Sequence, residues 1–140
     1  MRRNSIFALI ACMVFCVLPL AAVEHPSVEK GAAQTKAEKL HEEMAEGGKL
    51  LVIDVRTPKE YAAGHAAGAI NVPLDGLAKK IDSMHVSKDT TIVTMCEHGG
   101  RSSRAALELK KMGYKTTSYC RLDAWKAKGY KMATGKSNAN

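Results

Sequence analysis

The chain has 140 residues, with 21 Lys and Arg against 14 Asp and Glu, a net charge of +7, and 46% apolar residues. That length suits one domain and leaves little room for two. The mix of apolar and charged residues excludes a disordered chain, and a basic excess without interleaved aromatics or a groove motif points away from nucleic acid.

Composition is uneven along the chain. Residues 1–22 hold both Phe residues, two of the four Cys, Arg2 and Arg3, and no acid. An apolar run extends from Ile6 to Val23, broken at Pro19, with small residues at Ala21 and Ala22. This order predicts a signal peptide over residues 1–22, cut after Ala22, and therefore a periplasmic or secreted protein. The alternatives are an uncleaved anchor, because the run is just long enough to span a bilayer, and lipidation at Cys12. After cleavage no membrane contact is expected, and the mature chain keeps only Cys96 and Cys120. Two thiols that meet in an oxidising compartment can form a disulfide.

Residues 23–34 mix Pro, Gly and charges and read as a linker. Thr35 to Glu46 is a predicted helix, capped by Thr35 and ended by Gly47 and Gly48. Leu50 to Val55 is a continuous apolar run with the character of a buried parallel strand. Thr57 and Pro58 open a helical turn. Residues 64–73 form a loop around a short strand at Ala69 to Val72, and Leu74, Leu77, Ala78 and Ile81 have helical spacing. Thr90 to Met95 is the second strong strand. Arg101 to Met112 is a helix stopped by Gly113. Thr116 to Tyr119 is a third strand, Leu122 to Lys128 a short helix, and residues 133–140 a frayed polar tail. Strands alternating with helices at this spacing predict an α/β domain over residues 35–132, a parallel sheet covered on both faces. Gly129 to Ser137 superficially resembles a phosphate-binding loop, but its spacing is one residue too long and no strand precedes it.

The segment Cys96-Glu97-His98-Gly99-Gly100-Arg101-Ser102 lies directly after a predicted buried strand and directly before a helix. Ligands of open parallel sheets bind beyond the carboxyl ends of the strands. A cysteine there faces the free N–H groups and positive dipole end of the next helix, which favours the thiolate, as does a neighbouring Arg101. Gly99 and Gly100 let the backbone curl so that successive N–H groups point at one anion. The loop therefore reads as a thiolate nucleophile beside an anion cradle. A buried structural cysteine is the competing reading.

From about Thr35 to Met132 the chain resembles a single rhodanese (sulfurtransferase) domain. Three stretches carry the resemblance: Asp54 to Tyr61 followed by Gly64 to Pro73, the Cys96 loop ending in Gly-Arg-Ser, and Leu122-Asp123-Ala124-Trp125 with Gly129-Tyr130. The resemblance implies a three-layer sandwich around a five-stranded parallel sheet, and a monomer is expected. It implies that Cys96 takes the outer sulfur of a thiosulfate-like anion, becomes a persulfide, and gives the sulfur to a thiol or cyanide acceptor. Ser102 can donate to the Cys96 sulfur, and the loop amides from Glu97 to Arg101 stabilise charge on it. No metal or cofactor is implied, and His25, His41 and His85 lack ligand spacing. Related dual-specificity phosphatases and arsenate reductases separate Cys and Arg by five residues, whereas four separate Cys96 from Arg101. The narrower ring suits a single sulfur atom better than a tetrahedral oxyanion.

Two departures from the family pattern stand out. Glu97 puts a carboxylate where many thiosulfate users carry a basic residue, which disfavours an anionic donor unless His98 offsets it. Cys120-Arg121 replaces a Gly pair, so Cys120 is either a resolving thiol for Cys96 or a spare, partly buried thiol. Arg121 is expected to add positive potential at the mouth. Asp54, Arg56 and His65 are expected to support the site from behind, with Arg56 paired to Glu60 and Asp54 accepting loop N–H groups. Trp125 is expected in the core, and Lys110, Lys111, Lys126, Lys128 and Lys131 on solvated helix faces. A non-catalytic binding module and a thiol-redox protein using Cys96 and Cys120 are the competing functions.

Overall fold

The computed structural model describes residues 31–136. The expected leader and most of the expected linker lie outside the described residues. Among the described residues no helix is long and apolar enough to cross a membrane.

The elements run β1 (Ala33–Gln34), α1 (Ala37–Glu46), β2 (Leu50–Asp54), α2 (Pro58–Ala63), β3 (His65–Ala66), β4 (Ile70–Asn71), a 3₁₀ turn (Leu74–Gly76), α3 (Leu77–Ser83), β5 (Thr91–Cys96), α4 (Gly100–Lys111), β6 (Thr116–Arg121), α5 (Leu122–Ala127) and β7 (Met132–Ala133). Five strands form one sheet in the order β1-β6-β5-β2-β4, and every pair in it is parallel. Each pair of parallel neighbours is separated in the chain by at least one helix, as parallel pairing requires.

The apolar runs of β2 and β5 alternate between two cores. Val52, Val93 and Met95 face α1 and α5, where they meet Leu40, Leu122 and Trp125. Ile53, Ile92 and Cys96 face α3 and α4, where they meet Leu77, Ile81, Ala105 and Leu109. Both faces of the sheet are therefore covered, as continuous apolar strands require. Trp125, 2% exposed, is a core residue as expected, and its indole N–H reaches the carbonyl of Lys131 at 3.2 Å.

Three expectations need correction. Thr35 does not cap α1: the N-cap is Lys36, without a side-chain cap bond, and the Thr35 hydroxyl lies 2.7 Å from that of Ser118 on β6. The expected linker contributes β1, which adds an edge strand to the sheet beside β6. The expected tail begins inside β7, an antiparallel partner of β3, and Gly135 N–H bonds to the Ala62 carbonyl at 3.0 Å. Two-residue strands carry no periodicity, so neither was legible.

Candidate active site

The central strand β5 delivers the site. It ends on Cys96, which is 2% exposed, and α4 begins four residues later. Between them Gly99 is the N-cap of α4 in the left-handed region, at φ 95°. A Cβ there would also come within 3.0 Å of the Tyr119 ring, so the position is closed to other residues twice over. Gly100 behaves differently from the expected pair: it starts α4 with ordinary backbone, and a Cβ on it would meet open space.

The turn folds the start of α4 back over the sulfur. Ser102 donates its N–H to Cys96 Sγ at 3.3 Å, and the Ser102 hydroxyl oxygen lies 3.2 Å from the same sulfur. That hydroxyl also donates to the Gly99 carbonyl at 3.1 Å. It has one proton for two acceptors. With a neutral thiol, S–H can donate to the serine oxygen while the serine proton serves Gly99; with a thiolate, the serine proton can turn to sulfur. The first-turn N–H groups of α4 have no acceptor within their own helix and extend the same donor surface. Thr94 anchors this turn from below, donating its buried hydroxyl to the Ser102 carbonyl at 2.7 Å. Sequence reading passed over Thr94; a polar residue inside the apolar run Thr91 to Cys96 was the available signal.

The charged residues pair differently from expectation. Arg56 does not pair with Glu60. It grips Asp54, with its Nη2 2.7 Å and its Nε 3.0 Å from the carboxylate, and donates to the Gly64 carbonyl at 2.6 Å. Asp54 also accepts the Arg56 backbone N–H at 3.0 Å, as expected of it. Asn71 clamps the same corner, donating to the carbonyls of Asp54 and Arg56 at 2.9 Å each. Glu60 instead takes Arg101 in a two-pronged pair, 2.8 Å on each side. The Arg101 guanidinium holds the Glu60 carboxyl well below the usual carboxylate range. In return Glu60 raises Arg101, with smaller contributions from Cys96 and Asp54 nearby.

Glu97 is not offset by His98. Its carboxylate takes Lys126 at 2.7 and 2.9 Å and lies 3.5 Å from Arg56. Lys126 therefore belongs to the loop and not to a merely solvated face. The Glu97 carbonyl accepts the Asp123 N–H at 3.1 Å, joining the loop to α5. His98 bonds through Nδ1 to Asp123 at 3.1 Å. Arg121 lies beside Cys96 in the sheet register and is bound to Asp123, so its charge at the mouth is shared with a carboxylate. Arg121 chiefly, then His98, hold Asp123 well below its ordinary pKa. Asp123 sits inside the Leu-Asp-Ala-Trp stretch, which was the signal for it.

Cys120 does not face Cys96, as a resolving thiol would have to. It is level with Met95, so its side chain joins the α1 and α5 core, while Cys96 joins the α3 and α4 core on the opposite face. Both cysteines are free. Burial pushes the Cys120 thiol up to about 11. His65 is buried in the β3 corner; its Nδ1 lies 2.9 Å from the Tyr61 carbonyl oxygen, and its ring stacks on Tyr61 at 3.6 Å. Both of these contacts go to α2 and not to the Cys96 loop. Among the described residues no group of His, Cys, Asp and Glu could hold a metal ion.

The site is thus a buried cysteine at the carboxyl end of a central parallel strand of an α/β domain, cupped by the first turn of the next helix. Residues 36–128 match the rhodanese-like domain, and the chain belongs to that family. It is 40% identical over 72 residues to thiosulfate sulfurtransferase 16, chloroplastic, of Arabidopsis thaliana, covering 44% of this chain and 60% of that protein. It is 39% identical over 62 residues to thiosulfate sulfurtransferase PspE of Escherichia coli, again covering 44% and 60%. These matches thus span less than two thirds of each relative. Among solved structures, the Alr3790 protein from Anabaena sp. superposes with a TM-score of 0.67 at 26% identity, covering 72% of this chain and 80% of that one. A thiosulfate sulfurtransferase from Pseudomonas aeruginosa reaches 0.70 at 19% identity over 76% of this chain and 21% of its own, a likeness of fold.

Proposed function

We propose that the protein is a sulfurtransferase that carries sulfur on Cys96. The observation that carries this reading is the Ser102 N–H placed 3.3 Å from Cys96 Sγ at the start of α4. A donor of this kind stabilises sulfur as a thiolate and again as a persulfide anion, in a setting already organised before substrate arrives. Cys96 as thiolate attacks the outer sulfur of a donor such as thiosulfate. The new S–S bond forms as the old one breaks, and sulfite departs with the electron pair. An acceptor thiolate or cyanide then attacks the terminal sulfur and regenerates the Cys96 thiolate. Two half-reactions through one covalent intermediate predict ping-pong kinetics.

Intact-protein mass spectrometry after incubation with thiosulfate tests this directly. The expected result is a gain of about 32 Da on Cys96, removed again by cyanide. Cys96→Ser is expected to lower thiocyanate formation by on the order of 10³-fold or more. Thiocyanate formation that survives this change would overturn the assignment of the nucleophile. Residues 1–22 support action outside the cytoplasm, and amino-terminal sequencing of the exported protein should then begin at Val23.

A further inference from the structure

The cationic groups tied into the Cys96 loop are each matched by a carboxylate. Arg56 is held by Asp54 and shared with Glu97, Lys126 by Glu97, Arg101 by Glu60, and Arg121 by Asp123. Four positive groups thus face four negative ones, and the loop offers N–H dipoles without a net charge behind them. Glu97 is decisive in this balance because it alone meets two of the cations. It follows Cys96 directly and is only 30% exposed. We infer that Glu97 is a selectivity residue that sets the donor charge: by taking up Arg56 and Lys126 it adapts the site to organic sulfane donors bearing a single negative charge, in preference to dianionic thiosulfate. The inference rests on the sulfurtransferase reading.

The chemistry is the same for both donor classes. With an organic thiosulfonate, the Cys96 thiolate attacks the outer sulfur of R–SO₂–S⁻, the bond between the two sulfurs breaks, and the sulfinate R–SO₂⁻ leaves with the electron pair. Two negative charges enter and two remain, one on the Cys96 persulfide and one on the sulfinate. With thiosulfate three enter and three remain. The extra charge must be carried through a mouth that Glu97 has neutralised, and the penalty grows with donor charge.

The experiment compares thiosulfate with benzenethiosulfonate as donors at saturating cyanide, using the full chain, Glu97→Gln, Lys126→Met and the double variant. Removing the Glu97 charge is expected to raise kcat/KM about 3-fold for the monoanion and about 10-fold for the dianion, since the screened attraction scales with donor charge. Lys126→Met should move both in the opposite direction, and the double variant should return the donor ratio to within about 2-fold of the original because the charge balance is restored. Thiosulfate turnover of the unaltered protein should change little with salt, while that of Glu97→Gln should fall steeply. An unchanged donor ratio in Glu97→Gln, or a double variant that does not return, overturns the role of Glu97. If Cys96 loads sulfur from neither donor, the sulfurtransferase reading itself falls, and the inference falls with it; loading with an unmoved ratio sinks the inference alone.

Discussion

Cys96 is the last residue of β5 and Cys120 the last but one of the neighbouring parallel strand β6, one residue apart in register, and both are buried. Their surroundings diverge because strand residues alternate faces. Cys96 turns toward α4 and meets the N–H and hydroxyl of Ser102. Cys120 turns toward α1 and α5 and sits among Leu40, Met95 and Trp125, with the Arg121 carbonyl 3.7 Å from its sulfur. Burial therefore does not separate the two thiols. On the proposed sulfur-carrying role of Cys96, the first turn of α4 folded over its sulfur does.

The contrast is broken most severely at Gly99. Gly99→Ala must adopt a left-handed backbone and displace the Tyr119 ring, so it should lift the helix start off Cys96. Sulfur transfer is expected to fall by on the order of 10²-fold, with about 1–3 kcal/mol lost in denaturant unfolding. Gly100→Ala, with open space and ordinary backbone, should keep near-native stability in the same measurements.

Cys120 offers a smaller and opposite test. Cys120→Ala should leave transfer within about 2-fold and cost about 1 kcal/mol of stability, from the small void left behind. In the folded protein Cys120 should resist iodoacetamide at neutral pH, since its thiol is fully buried and its ionisation is pushed to about 11. Below the ordinary thiol value of 9.0 folded and unfolded chains both hold this proton, and between 9.0 and about 11 only the folded one does. Ionisation thus pulls toward unfolding above pH 9, and Cys120→Ala should lose less stability there than the unaltered chain. Rapid labelling of Cys120 at pH 7 would show that its thiol is not shielded by the α1 and α5 core.

The smallest effect is expected at Glu60. Its carboxyl is depressed by Arg101, so its contribution is complete above the ordinary value near 4.5 and fades as pH falls below it. The pair is more than a third exposed, so Glu60→Gln should cost less than about 1 kcal/mol at pH 7, and that cost should shrink steadily as pH falls below 4.5. Thermal unfolding against pH measures this; a difference that grows with acid would reverse the assigned sign.

The Cys96 loop was legible because its parts are adjacent: a strand, a cysteine, a glycine pair and a helix start lie within a dozen residues. The long apolar strands and α4 were legible from periodicity. The ion pairs were not. Glu60 and Arg101 lie 41 residues apart, and only the crossover between β2 and β5 brings their helices together. Arg56 had two carboxylates within reach in sequence, and the strand geometry gave it Asp54. The face taken by Cys120 depends on the register between β5 and β6, which local pattern does not specify. β1 and β7 are fixed by pairing partners far away in sequence, so their own two residues announce nothing.

Glu60 closes the domain in a further way. Its Oε2 accepts the backbone N–H of Thr57 at 2.9 Å and the Thr57 hydroxyl at 2.8 Å, forming a capping box for α2, while the same oxygen takes Arg101 at 2.8 Å. One carboxylate therefore starts one helix and steadies the start of another. An aspartate, shorter by one methylene, could reach only one of these at a time. The capping box and the ion pair are therefore coupled, and a change at this one position reaches the starts of α2 and α4 together.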